Sequence, residues 1–287
     1  MPKDEKFEDK IPYNLLTEHS IPDKSIADSI EALIGAYLIS NGPKGAILLM
    51  KWLGLKLTLD NISFEELNEN ALHPIWRWLP SPPSPLLENP NCDSRESLEY
   101  HYKVNRLYDF EEKIKYRFKD KSYLVQAFTH NSFFENRVTD CYQRLEFLGD
   151  AVLDYLITRY LYEDPKNHSP GTLTDLRSAL VNNTFFASLS VNYDFHKFIK
   201  MISPELFKVI SDFVNKYKAK EIKMDLGDCM FITEDNYENI EDIEVPKALG
   251  DIFESVAGAI YLDSGMSLDT VWSVYFRMMK PEIGNLI

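Results

Sequence analysis

Apolar residues recur at helical spacing along most of this chain. Ile26, Ile30, Leu33, Ile34 and Tyr37 lie on one stripe of a segment that Ser25 can cap, and the run ends at the stop signal Asn41-Gly42-Pro43-Lys44-Gly45. A second apolar helix is expected through "AILLMKWLGLKL". From Tyr100 onward the same period predicts helices over 110–116, 122–131, 141–162, 173–191, 204–217, 249–262 and 268–279. Alternating strand patterns are nearly absent, so the fold class is all-α. Between the two helical regions, residues 79–95 hold five of the fifteen prolines and read as an extended linker.

The chain's 287 residues, 45% of them hydrophobic, suffice for one large core or two medium ones. No run approaches the ~20 uninterrupted apolar residues of a spanning helix, and the start "MPKDEKFEDK" has no apolar signal region, so no membrane partner is expected. Cys92, Cys141 and Cys229 are widely separated, without metal-ligand or redox spacing. They read as free thiols in a reducing compartment, which points to the cytoplasm.

A net charge of −14 argues at first against a polyanionic ligand. The charge is unevenly spread, however. Residues 110–222 carry 16 basic and 15 acidic side chains, whereas 223–246 carry one lysine against eight acids. Half of the net charge therefore sits in one short acidic insertion, expected to be disordered or regulatory. The rest of the region remains compatible with nucleic acid.

An internal repeat follows from aligning residues 24–42 with 247–265. Lys24, Asp28, Glu31, Gly35, Ala36 and Gly42 fall on Lys247, Asp251, Glu254, Gly258, Ala259 and Gly265 without a gap. Helical periodicity explains shared apolar positions but not shared Lys, Asp, Glu and Gly. The N-terminal copy lacks a counterpart of the "RLEFLGD" segment and is expected to be the tail of a domain that begins outside this chain.

The chemistry concentrates on the acids within apolar helices. Glu146 and Asp150 stand at i, i+4, and Asp251 and Glu254 at i, i+3, so each pair shares a helix face. Like charges so placed repel, and a compensating cation would relieve them. An all-oxygen donor set suits a hard ion, Mg²⁺ or Mn²⁺, and a two-metal carboxylate centre suits phosphodiester hydrolysis. Asp154, a turn beyond Asp150, has no such partner and reads as solvent-facing or hydrogen-bonded. The absence of Glu-x-x-His pairs at the acidic helices argues against a redox di-metal bundle. On spacing alone, a surface charge pair and a metal site remain about equally good readings.

The wording of the motifs is more specific. "QRLEFLGDAVLDYLI" closely resembles the signature of the ribonuclease III family, and "PKALGDIFESVAGAIYLDSG" its second acidic helix; "QAFTHNSF" and "LTDLRSALVNN" are also similar to family segments. The order of partial domain, proline-rich linker and complete domain resembles the animal, arthropod-like, microRNA-processing branch of the family, in which two nuclease domains share one chain. The resemblance implies a helical nuclease-domain fold with a partial second copy at the N-terminus. Residues 1–58 would be the end of a first nuclease domain, 59–106 the linker, and 107–284 a complete second domain containing the insertion 223–246. A helicase, a PAZ domain and most of the first nuclease domain would precede the chain, and a double-stranded-RNA-binding domain would follow it.

Residue by residue, the resemblance makes Glu146, Asp150, Asp251 and Glu254 the catalytic and metal-binding carboxylates, with two Mg²⁺ or Mn²⁺ ions per complete centre. Asp28 and Glu31 would belong to an incomplete first centre. Lys247 would contact phosphate or the attacking water, or serve only as a helix-start lysine. His130 would pack or hydrogen-bond, and Asp175, Arg177 and Asn182 would face RNA or support the site. The implied activity is a double-strand-specific endoribonuclease acting on long duplexes or pre-microRNA hairpins, leaving a 5′-phosphate and a 3′ overhang. The implied partners are double-stranded RNA, the first nuclease domain of the same chain, double-stranded-RNA-binding proteins and Argonaute-type proteins. In isolation, the chain would self-associate through its complete domain. The alternative is a catalytically silent domain of the same fold that binds or dimerises, which would be expected to lack one or more of the four acids.

Overall fold

The computed structural model describes residues 22–55, 84–86, 94–219 and 245–286, and the chain divides after Ser81 into two compact units. The described part of the first unit is helix α1, Asp23–Trp52. It is interrupted where the stop signal predicts a break: Gly42 takes the left-handed value φ 68° and Pro43 follows. By length and composition α1 could cross a membrane, yet its first half carries Asp23, Lys24, Asp28 and Glu31. The aligned glycines of the repeat both have a positive φ, 68° at Gly42 and 78° at Gly265.

Every regular element among the described residues of the second unit is helical, apart from a single bridge between Thr129 and Lys200. Its elements are α2 (Ser94–Val104), α3 (Leu107–Ile114), α4 (Lys121–Ala127), α5 (Gln143–Tyr162), α6 (Pro170–Leu180), α7 (Asn183–Asn192), a 3₁₀ turn at Phe195–Lys197, α8 (Pro204–Lys218), α9 (Lys247–Asp263) and α10 (Leu268–Leu286).

Three expectations are corrected. Ser94–Val104, assigned above to the linker, is helical: no proline follows Pro90 there, and Leu98 and Tyr102 pack on the core. The helix expected over 173–191 is two helices, because Asn182 is extended at φ −145° and ψ 156°. Its side chain accepts from Phe185 N at 2.8 Å and donates to Ala179 O at 2.8 Å, closing one helix and opening the next. The helix expected over 122–131 stops at Ala127, since Phe128 O and His130 N hydrogen-bond to the backbone of Lys200 at 2.8 and 2.9 Å. The acidic insertion lies outside the described residues except for Val245 and Pro246.

Helix α9 forms the axis of this unit. Thirteen of its seventeen residues are buried, from Ala248 to Asp263, as expected of a helix apolar on nearly every face. It packs against α4, α5, α7 and α10. Phe253 lies among Phe186, Phe195 and Tyr275. Polar side chains anchor the axis: Ser190 Oγ donates to Leu249 O at 2.6 Å, Tyr275 Oη to Phe253 O at 2.7 Å, and Ser255 Oγ to Ala127 O at 2.9 Å. At its end, the buried Asp263 carboxylate accepts from Tyr116 Oη, Lys119 N and Asp120 N at 2.7, 3.0 and 2.8 Å, which ties the α3–α4 connection to α9.

The contact that sets the site is between α5 and α9. A Cβ at Gly149 would overlap the carbonyl oxygen of Glu254 and stand 2.9 Å from Gly258 N, and one at Gly258 would overlap the carbonyl oxygen of Leu145. The two helices meet backbone to backbone with no room for a methyl group. Gly149→Ala is therefore expected to lower unfolding free energy by about 3 kcal/mol or more, as overpacking against rigid backbone does. Gly171→Ala, where the nearest atom is Ser169 Oγ at 4.0 Å, should be neutral or slightly stabilising. Urea denaturation checks both, and equal effects would contradict the packing argument.

Candidate metal centre

The glycine contact places the acidic end of α5 beside the acidic start of α9. One ligand oxygen each from Glu146, Asp251 and Glu254 lies within 4.8 Å of the others. Three of the four expected carboxylates are thus gathered from residues a hundred positions apart. Asp150 stands outside this close group, one turn further along α5 on an exposed position. Its charge still reaches the group, raising the pKa of Glu254.

The electrostatics show what the cluster lacks. Burial, reinforced by the charges of Asp150, Asp251 and Glu146, pushes the Glu254 carboxyl up to about 8. Asp150 is also raised, first by burial and then by Asp154 and Glu146. The one cation held among these acids in the described contacts is Lys247, whose Nζ reaches Glu146 Oε1 at 2.9 Å and Asp251 Oδ1 at 2.8 Å. The hydrogen bonds it donates to Asp251 and Glu146 raise the Lys247 pKa, so it stays charged. The one ammonium bonds two of the four carboxylates, Glu146 and Asp251, and the two left without it, Asp150 and Glu254, are the ones whose carboxyls are raised. This donor set, hard oxygens with surplus negative charge, fits a divalent cation. Glu146, Asp251 and Glu254 would hold it, with Asp150 at the rim, and Lys247 already bridges two of these ligands as a cation would.

Other expected residues fall outside the cluster. Asp154 pairs with Arg177 at 3.3 Å and Thr158 at 3.4 Å, the hydrogen-bonded role anticipated for it. Arg177 and Asp175 are exposed on α6. The Asn182 side chain is committed to the α6–α7 junction. His130 Nδ1 lies 2.8 Å from Ser132 Oγ and accepts from Ser132 N at 3.1 Å, with its ring beside Tyr142. Burial lowers its pKa. In the first unit, Asp28 and Glu31 are both exposed. Lys24 meets Asp28 at 3.3 Å, the i, i+4 spacing by which Lys247 meets Asp251. Cys141 is a free thiol, and the other two cysteines lie outside the described residues.

One contributor is missing from the sequence-based candidates. Tyr142 donates its phenolic proton to Asp251 Oδ2 at 3.1 Å. Its position four residues before Glu146 puts it on the acidic face of α5, but a tyrosine at an apolar helix start reads as core, and only the fold shows that α9 brings Asp251 over it.

Residues 143–265 match the Ribonuclease III domain family. The chain is 54% identical to Endoribonuclease Dcr-1 of Drosophila melanogaster over 95% of its own length and 12% of that protein's. It is also 54% identical to Endoribonuclease Dicer of Danio rerio, over 95% of this chain and 14% of that one. The crystal structure of the ribonuclease III nuclease domain from Campylobacter jejuni is 30% identical, covering 60% of this chain and 92% of that chain with a TM-score of 0.42. The chain thus spans less than a sixth of the length of these two full-length relatives.

The raised Glu254 carboxyl has a consequence for stability. An ordinary glutamate titrates near 4.5, so between that pH and about 8 the metal-free folded protein keeps a proton that the unfolded chain has released. The contribution of Glu254 to stability therefore falls as pH rises through that window. In the presence of chelator, the melting temperature of Glu254→Gln should decline less than that of the parent between about pH 5 and pH 8. Parallel melting curves for the two proteins would contradict the assignment.

Proposed function

Because the chain belongs to the ribonuclease III family, we propose that it supplies a complete phosphodiesterase centre to an endoribonuclease specific for double-stranded RNA. The observation that carries this reading is the convergence of Glu146, Asp251 and Glu254 within 4.8 Å on two helices in backbone contact. The parent protein is read as a Dicer-type enzyme, in keeping with the Dcr-1 and Dicer relatives. It would process long duplexes or pre-microRNA hairpins to products with a 5′-phosphate and a 3′ overhang. The catalytic role of Asp150 and the use of two Mg²⁺ or Mn²⁺ ions belong to the same proposal.

A divalent cation bound by the acids would activate water and stabilise the departing oxygen. The chain's own groups prepare for this. With a cation offsetting its neighbours, Glu254 would release its proton to solvent and serve as a carboxylate ligand. Lys247 is held over Glu146 and Asp251 on an exposed side chain, 74% accessible, free to turn from its carboxylates toward an incoming phosphate. Tyr142 holds the far oxygen of Asp251. Duplex RNA would be recognised by its backbone and minor-groove shape rather than base edges, consistent with the near-neutral charge of residues 110–222.

Asp28 and Glu31 would contribute to a first centre on residues 1–58. The shared Lys-Asp pairing and the shared left-handed glycine of the repeat support that reading. In isolation the complete domain would pair with a second copy of itself, burying Phe147, which is 82% exposed on α5 beside Glu146.

Two tests follow. With Mg²⁺ present, the parent enzyme should cut both strands of a labelled RNA hairpin, and its Asp251→Ala variant only one. Loss of neither cut would overturn the assignment of Asp251. Sedimentation of the isolated chain should show a dimer that Phe147→Glu converts to monomer; a monomer at high concentration would remove the pairing proposal.

A further inference from the structure

The two oxygens of Asp251 are held by different donors. Lys247 Nζ takes Oδ1 at 2.8 Å and Tyr142 Oη takes Oδ2 at 3.1 Å. Lys247 is exposed and attached by a flexible stem, whereas Tyr142 is 4% exposed, its backbone N–H is donated to Thr129 O at 2.9 Å, and the His130 ring lies against its own at 5.7 Å. One donor can leave and the other cannot. We infer that Tyr142 is a positioning residue of the metal centre: its hydroxyl reserves Asp251 Oδ2 and leaves Oδ1, the oxygen facing Glu146 through Lys247, as the one offered to a cation. This rests on the metal-centre reading above.

The physical grounds are the cost of a loose carboxylate. Asp251 is 7% exposed, so little water is at hand to replace a missing partner. When Lys247 moves away, Tyr142 is the remaining side chain recorded as hydrogen-bonding to Asp251. A phenol fits this task, because it donates one hydrogen bond without adding positive charge that would compete with a cation. Burial, followed by the charge and hydrogen bond of Asp251, drives the Tyr142 pKa upward, so the proton stays on the phenol. Partners that orient a ligating group in this way typically account for about 10–100-fold in metal affinity.

The test is Mn²⁺ titration of the full chain by calorimetry at neutral pH, with thermal melting in chelator run on the same samples. The variants are Tyr142→Phe, Glu254→Gln and Tyr102→Phe. Tyr102 is a control of matched chemistry: a buried phenol donating to the carboxylate of Glu111 at 2.6 Å on α3. Tyr142→Phe should weaken Mn²⁺ binding at least about tenfold, whereas Tyr102→Phe should lower the chelator melting temperature and leave Mn²⁺ affinity unchanged. Unaltered Mn²⁺ affinity in Tyr142→Phe overturns the inference while leaving the metal centre standing. Equal loss in both tyrosine variants overturns it too, by reducing Tyr142 to a stabilising contact. Failure of the parent chain itself to bind Mn²⁺, with Glu254→Gln indistinguishable from it, overturns the metal-centre reading and the inference together.

Discussion

The backbone contact between Gly149 and Gly258 is the constraint on which the rest depends. Ordinary helix pairs stand 8–10 Å apart, held off by side chains. Here each glycine faces carbonyl and amide atoms of the opposite helix, and that closeness lets the short side chains of α5 and α9 converge. Without it, Glu146 and Glu254 would belong to separate acidic helix faces. With it, carboxylates that sequence places a hundred residues apart share one small volume and one ammonium. The apolar length of α9, buried among four other helices, holds the contact in place from behind.

That arrangement works against stability. A helix as apolar as α9 would bury more favourably with a neutral residue in place of Asp251, and burial beside the neighbouring acids disfavours the charged form of Glu254. The fold tolerates this because the site lies at the first turns of α5 and α9, where Lys247 and Tyr142 can reach the acids, while the large side chains pack further along. The polar anchors at Asp263, Ser190 and Ser255 serve the opposite purpose, since each is matched by donors or acceptors on a neighbouring element.

Much of this was legible in the residues. The 3.6-residue period gave the long helices, and the in-register repeat of Lys, Asp, Glu and Gly distinguished Asp251 and Glu254 from ordinary surface acids. Gly258 appears in that repeat, but a glycine in a helix does not announce which partner it meets. The break at Asn182 was hidden because leucine spacing runs across it, and only the capping hydrogen bond to Phe185 stops the helix. Ser94–Val104 was masked by its proline-rich neighbours. Tyr142 was illegible for a simpler reason: its partner is 109 residues away, and local spacing carries no information about contacts made across the fold. The outlying position of Asp150 likewise depends on how α5 packs against α9 through Gly149 and Gly258, which spacing along the chain does not show.

The central claim is that Glu146, Asp251 and Glu254 hold a divalent cation where Lys247 now bridges two of them. Crystals of the chain grown with Mn²⁺ and measured for anomalous scattering test this most directly. An anomalous peak is expected within coordination distance of all three carboxylates, with Lys247 turned away from Asp251 Oδ1. A Mn²⁺-soaked structure with no peak at these residues, and Lys247 still bridging Glu146 and Asp251, would contradict it.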